Sequence, residues 1–210
     1  MKNGEKLFWK ICGLNVAVFL AWRVPSLQPF MMKWFMSSPA STVTCLPLLL
    51  STFSHYSGVH LLCNMMALHS FASPAIDLLG QEQFLAVYLS SGVATSFASM
   101  VYKVATRSTG FSLGASGAIL CVVGMFAAYY PESRLQIIFL PMFSFSAATG
   151  IKGLMALDAT GLVLGWRFFD HAAHLAGALS GLGWAYYGSH HIWAQREQFV
   201  TAWHNFRNGR

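Results

Sequence analysis

Charged residues leave four long gaps along this chain: none occurs from Trp34 to Ile76, from Gln83 to Tyr102, from Ser108 to Pro131 or from His171 to Gln195. A bilayer core of roughly 30 Å takes about 20 apolar residues per helix, so gaps of this length read as membrane spans. Helix breakers then set their ends. A first span runs from about Leu7 to Val24 and stops at Pro25. A second fits Gly58 to Leu79, before Gly80, and a third fits Gln83 to Tyr102, with Lys103 and Arg107 just outside it. A fourth runs from Gly114 to Tyr130 and is closed by Pro131. Lys152 and Asp158 interrupt the next stretch, which parses as a loop or partly inserted turn over Arg134 to Ser144 and a fifth span over about Phe145 to Leu164. The sixth runs from about Asp170 to Gly188. The fold class this predicts is all-α: a polytopic membrane protein with a six-helix core over residues 1–188 and a polar, aromatic-bearing tail over 189–210.

The connection from Pro25 to Ser57 is apolar but broken by Pro25, Pro29, Pro39 and Pro47. An unpaired backbone cannot face lipid, so this segment is expected at the interface or against the other helices, with Trp22 and Trp34 as interfacial anchors.

Composition narrows the choice of partners. With 55% hydrophobic and 10% charged residues the chain does not suit a water-soluble monomer, and the lipid bilayer is its first partner. The net charge of +6 comes from cations scattered singly, with no basic run to follow a phosphate backbone, which excludes nucleic acid. Cys12, Cys45, Cys63 and Cys121 stand alone among apolar neighbours and read as packing residues.

Six crossings carry a parity argument. Spans two, four and six all begin on the same side of the membrane, and their first turns hold His60, Ser116 and His174. Three polar side chains far apart in sequence thus lie at comparable depth below one face. Around Ser116 the string Gly114-Ala115-Ser116-Gly117-Ala118 is, taken alone, a small-residue stripe for close helix approach. It also suits a helix start whose exposed hydroxyl and free backbone N–H groups face an oxyanion. His174 can take the proton that a serine nucleophile gives up, against a default in which it is a buried hydrogen-bonding residue. His60 and Asn64 share a helix face at i, i+4 and suit oxyanion donors, or an interhelical polar clamp; His55 suits the same network. Asp158 within a span reads by default as a satisfied structural contact, and Asp170 sits one turn before His174 but at the membrane edge. A metal or haem site built from His55, His60, His171 and His174 is the weaker reading, because there is no HExxH and it leaves Ser116 without a role.

Taken together, His60-x-x-x-Asn64, Gly114-x-Ser116-Gly117 and Ala173-His174-x-x-Gly177 resemble the rhomboid family of intramembrane serine proteases. The stretches FLAWRVPSLQ, GQEQFLAVYLSSGV, SLGASGAI, IIFLPMF and LGWRFFDHAAHLAGAL extend the likeness, to mitochondrial members, over nearly the whole chain. The resemblance implies Ser116 as nucleophile and His174 as general base. It implies His60, Asn64 and the Gly114–Ser116 backbone as the oxyanion site, without metal or organic cofactor. The substrates would be single-span transmembrane proteins of the mitochondrial inner membrane, entering past a mobile fifth helix. Three departures stand out. Many members carry a Trp-Arg pair shortly before span two, where this chain has Leu46 to Phe53, and Trp22-Arg23 lies far upstream. Leu120 occupies the place of a Tyr that stacks on the histidine in bacterial members. The extra helix and presequence expected ahead of the core in mitochondrial members have no counterpart in the opening MKNGEKLFWK. Beside the protease, a catalytically silent client-binding protein of the same fold and the histidine-based metal or haem carrier are the rival readings.

Overall fold

The computed structural model describes residues 3–137 and 140–209. Helix α1 (Asn3–Ala21) ends where Pro25 withdraws an N–H, and a 3-10 turn at Pro25–Leu27 leads into α2 (Gln28–Trp34), bent 98° from α1. The short α3 (Cys45–Leu50) and a 3-10 turn at Ser51–Phe53 complete the first connection, which therefore has local structure of its own. Then come α4 (Gly58–Leu79) and α5 (Gln81–Ala105), separated by Gly80 at φ +80, and α6 (Ser116–Tyr129). After the hairpin strands β1 (Arg134–Ile137) and β2 (Leu140–Ser146) the chain forms α7 (Ala147–Leu164) and α8 (His171–Gly183). The sixth predicted span continues from α8 through a π-turn at Trp184–Gly188 into the single turn α9 (Ser189–His191). The tail ends in α10 (Arg196–Arg207), which exposes Phe199, Trp203 and Phe206.

The all-α expectation needs one correction. Arg134 to Ser144 is not a loop: it contributes to an antiparallel pair in which Arg134 faces Ser146 and Leu135 faces Phe145, with an irregularity between Gln136 and Ile137. Alternating apolar and polar residues in Arg134-Leu135-Gln136-Ile137 and the aromatics of β2 favour a strand. Ile138 and Phe139, within the predicted turn, lie outside the described residues. The fifth helix starts accordingly at Ala147, where Ser146 Oγ accepts from Thr149 N–H at 3.2 Å.

Helix α6 is the hub. Almost every one of its residues, from Gly117 to Ala127, is buried, and α4, α5, α7 and α8 surround it. Leu68, Ala72, Phe84, Tyr88, Val122 and Met125 form the centre of the core. The outer helices turn apolar side chains outward instead, as with Leu62 at 56%, Phe97 at 55% and Val163 at 85% exposure. By length and apolar composition α5 and α7 can each cross a membrane, and α1 with its bent continuation to Trp34 is a third. Helices α6 and α8, with 14 and 13 residues, are shorter. Cys121 is buried as expected of a packing residue, whereas Cys45 and Cys63 are exposed.

Candidate active site

Ser116 opens α6 and His174 sits in the first turn of α8, and the two helices approach closely because glycines line the seam. A Cβ on Gly177 would stand 2.3 Å from Gly117 O, and one on Gly181 would stand 2.1 Å from Cys121 O. Only a residue without a side chain permits that spacing. As a result His174 Nε2 lies 2.9 Å from Ser116 Oγ, a hydrogen bond across the seam with the spacing a serine and an activating base require.

The other nitrogen of His174 faces α7. Its Nδ1 is 3.5 Å from Asp158 Oδ1, longer than a good hydrogen bond, and the same oxygen is 2.7 Å from His171 Nδ1. Asp158 is 3% exposed, so its carboxylate is oriented by these two histidines rather than by water. The pattern of apolar positions alone had made Asp158 a structural contact; the structure puts it beside the His174 ring. Asp170, by contrast, meets His174 through the backbone, its carbonyl accepting from His174 N–H at 3.0 Å, and its carboxylate is engaged elsewhere. It caps α8 by accepting from Ala173 N–H at 3.2 Å, accepts from Ser99 and Ser112, and pairs with Lys103 Nζ at 3.2 Å.

The backbone ahead of Ser116 is pinned. Gly114 adopts φ +133, a conformation that favours glycine, and a Cβ there would stand 2.7 Å from the His60 ring. His60 thus packs directly on Gly114. Gly114 N–H donates to Ser51 O at 2.9 Å, and Ala115 N–H donates to His55 Nε2 at 3.4 Å. Burial, and after it the neighbouring His60, push the His55 pKa down to about 3, so its ring is neutral and free to accept. Asn64 is buried one turn beyond His60, where its amide donates to His60 O at 2.9 Å. Its side chain is engaged with its own helix. The N–H groups of Ser116 and Gly117 belong to the first turn of α6, where no intrahelical carbonyl is available to them.

Two departures noted in the sequence find their geometry. Trp22 Nε1 donates to Ser54 Oγ at 2.7 Å and Arg23 donates to Tyr56 O, so this pair from the end of α1 clamps the segment that carries His55. Where Leu120 leaves His174 without a stacking Tyr, the Phe169 ring lies 5.9 Å away at 33°. The four histidines of the metal reading fall into two groups, His55 edge-on to His60 and His171 joined to His174 through Asp158. Among the described residues no three His, Cys, Asp or Glu side chains form a group able to hold a metal ion.

The rhomboid domain matches residues 43–191, which contain every residue of this site. The chain belongs to the rhomboid family. It is 53% identical over 207 residues to the presenilin-associated rhomboid-like protein, mitochondrial, of Homo sapiens, covering 99% of this chain and 55% of that protein. Protein A of that name from Danio rerio is 51% identical over 208 residues, covering 99% and 54%. Rhomboid protein 1, mitochondrial, of Saccharomyces cerevisiae is 32% identical over 200 residues, covering 94% and 58%. The chain spans about half the length of the relatives it matches. This rhomboid is an integral protein of a mitochondrial membrane.

Proposed function

We propose that this rhomboid is an intramembrane serine endopeptidase that cleaves peptide bonds within or next to the transmembrane helices of single-span proteins of the mitochondrial inner membrane. The observation that carries this reading is the 2.9 Å contact between Ser116 Oγ and His174 Nε2 across a seam of glycines. Ser116 Oγ attacks the scissile carbonyl as its proton passes to His174 Nε2, and the imidazolium is stabilised by the Asp158 carboxylate on its Nδ1 side. The oxyanion faces the Ser116 N–H at the positive end of α6, beside the bare Gly114 backbone and the His60 ring packed on it, with Asn64 one turn further along α4 as a further donor. His174 then returns the proton to the leaving amine, and a water activated by the same ring releases the acyl group. No cofactor enters this sequence.

The reading includes six crossings by α1, α4, α5, α6, α7 and α8 within residues 1–188, with 189–210 as a tail outside the core. At about 1.5 Å per residue the 14-residue α6 is roughly 21 Å long, short of a hydrocarbon core of about 30 Å, so Ser116 lies below the membrane surface. A small polar hollow beside it is lined by Thr95, Ser96, Ser112 and Asp170, giving water a place next to the nucleophile. A substrate helix hides its carbonyls in its own hydrogen bonds, so local unwinding precedes attack.

The test is cleavage of a model transmembrane substrate in liposomes by this chain and by Ser116→Ala and His174→Ala. Both variants are expected to lose activity while keeping the thermal stability of the parent. Cleavage that survives Ser116→Ala overturns the mechanism, and a folded but inactive parent that binds the substrate favours a silent client-binding role.

A further inference from the structure

Two histidines share one carboxylate oxygen, and they do not share it equally: Asp158 Oδ1 is 2.7 Å from His171 Nδ1 and 3.5 Å from His174 Nδ1. The closer partner is the one that does not reach Ser116. A carboxylate only accepts, so the His171 nitrogen facing it carries the proton. Among the described residues the opposite nitrogen, Nε2, is buried without a hydrogen-bond partner, so Asp158 is the single hydrogen-bonding anchor of that ring among them. Packing fixes the rest. On the α7 side a Cβ at Gly161 would come within 2.6 Å of the ring, and Phe168 and Phe169 lie edge-on at 5.2 and 6.0 Å, with Trp166 at 6.1 Å. A clamped imidazole aimed at a carboxylate fixes the carboxylate in turn.

We propose that His171 is a positioning residue for the Ser116–His174 pair: its Nδ1–H holds Asp158 Oδ1 against the edge of His174. A carboxylate oxygen has capacity for two donors, so this bond leaves a lone pair for His174 Nδ1–H. That retains the His174 proton on Nδ1 and leaves Nε2 bare toward Ser116, the tautomer a general base requires. Without the His171 N–H, Asp158 is free to rotate along α7 and its effect on His174 is lost. The inference rests on the serine protease reading above.

The experiment measures the rate of fluorophosphonate labelling at Ser116, which reads nucleophile activation directly, together with kcat and KM for a transmembrane substrate. His171→Leu removes the donor at similar bulk, and His171→Asn keeps an amide N–H near the Nδ1 position. Each is made with Asp158 present and in an Asp158→Asn background. His171→Leu is expected to lower labelling and kcat about tenfold, as for groups that orient a working histidine, with KM unchanged. His171→Asn is expected to restore most of it, and in the Asp158→Asn background His171→Leu is expected to cost nothing further. Should the leucine variant not fold, His171→Asn against His171→Gln makes the same comparison, because the glutamine amide reaches past the Nδ1 position. Parent-like labelling by His171→Leu, no rescue by asparagine, or an equal loss without Asp158 overturns the inference alone. A parent that does not label at Ser116 overturns the serine reading and this inference with it.

Discussion

Gly177→Ala is the sharpest perturbation of the seam that sets the Ser116–His174 distance. The added methyl would stand 2.3 Å from Gly117 O, whereas a carbon–oxygen contact settles at about 3.3 Å or more, so α6 and α8 must part by roughly 1 Å at that level. Gly117 is the neighbour of Ser116, and Gly177 is three residues beyond His174 on the same helix, so the opening falls on the pair itself. A 2.9 Å bond stretched by that amount passes the hydrogen-bond limit. The expected cost is about 10²-fold in kcat, the scale of a misplacement of that size, with about 1–3 kcal/mol of stability lost to overpacking. Two companions locate the effect. Gly181→Ala meets Cys121 O at 2.1 Å one turn deeper, and is expected to lose similar stability with a smaller loss of activity. Gly183→Ala, on the same helix, meets nothing within 4 Å and is expected to be neutral or stabilised by up to about 1 kcal/mol. Substrate cleavage in liposomes and thermal unfolding in detergent read both quantities. If Gly177→Ala cleaves within twofold of the parent at unchanged stability, the seam does not set the catalytic distance.

Two further outcomes follow from contacts around the site. Asp170→Ala removes the cap of α8 together with the bonds from Ser99 and Ser112, and is expected to destabilise by about 1–2 kcal/mol through the cap alone. Lys103→Met is expected to cost less, since the cap survives it; equal unfolding temperatures for the two would contradict this ranking. His55 titrates near 6.5 when unfolded but near 3 when folded, so between those values the unfolded chain binds the extra proton. Its contribution is therefore complete above pH 6.5 and drains away as pH falls below it, at up to about 1.4 kcal/mol per pH unit. Thermal unfolding of the parent and His55→Gln from pH 7.5 to 5 checks this: the variant is expected to show the shallower pH dependence, and equal slopes would refute the assignment.

Helix boundaries were legible where covalent geometry dictates them, at Pro25, Gly80 and Pro131, and so was the meeting of the helix starts that carry His60, Ser116 and His174. The environment of Asp158 was not. Lys152 and Asp158 are six residues apart, about 240° around α7, so they point to different faces: Lys152 is exposed and Asp158 buried. Which face meets α8 depends on the rotation of α7, and an apolar helix with lipid on one side and protein on the other leaves that rotation unmarked in its hydropathy. The hairpin was hidden for a related reason. An apolar stretch following Arg134 suits an inserted turn and a short strand pair equally well, and the choice is made by pairing with residues up to Ser146. Trp22-Arg23 was recognisable as a pair but not as a clamp, because its partner Ser54 is 32 residues away and an irregular segment intervenes.

The Pro-rich first connection explains how the site is held. Its backbone cannot be left unpaired near lipid, and part of its demand is met by the segment entering α6: Ser37 and Ser112 exchange backbone bonds at 2.9 and 2.7 Å, and Ser51 O receives Gly114 N–H. The same Ser112 bonds the Asp170 that caps α8. The start of α6 and the start of α8 are thus tied to one polar framework, and the glycine seam locks them together below it. Helix α7 stands outside this framework. Its buried residues are Ala147, Ile151, Asp158 and Gly161, and the last two meet the rings of His171 and His174 on α8. On the proposed mechanism, therefore, the 2.9 Å spacing of Ser116 and His174 is set by α6 and α8, and the carboxylate that would orient the base is set by α7. Ser116 and His174 are thus held by the packing of α6 on α8, and the carboxylate beside them comes from a third helix, α7.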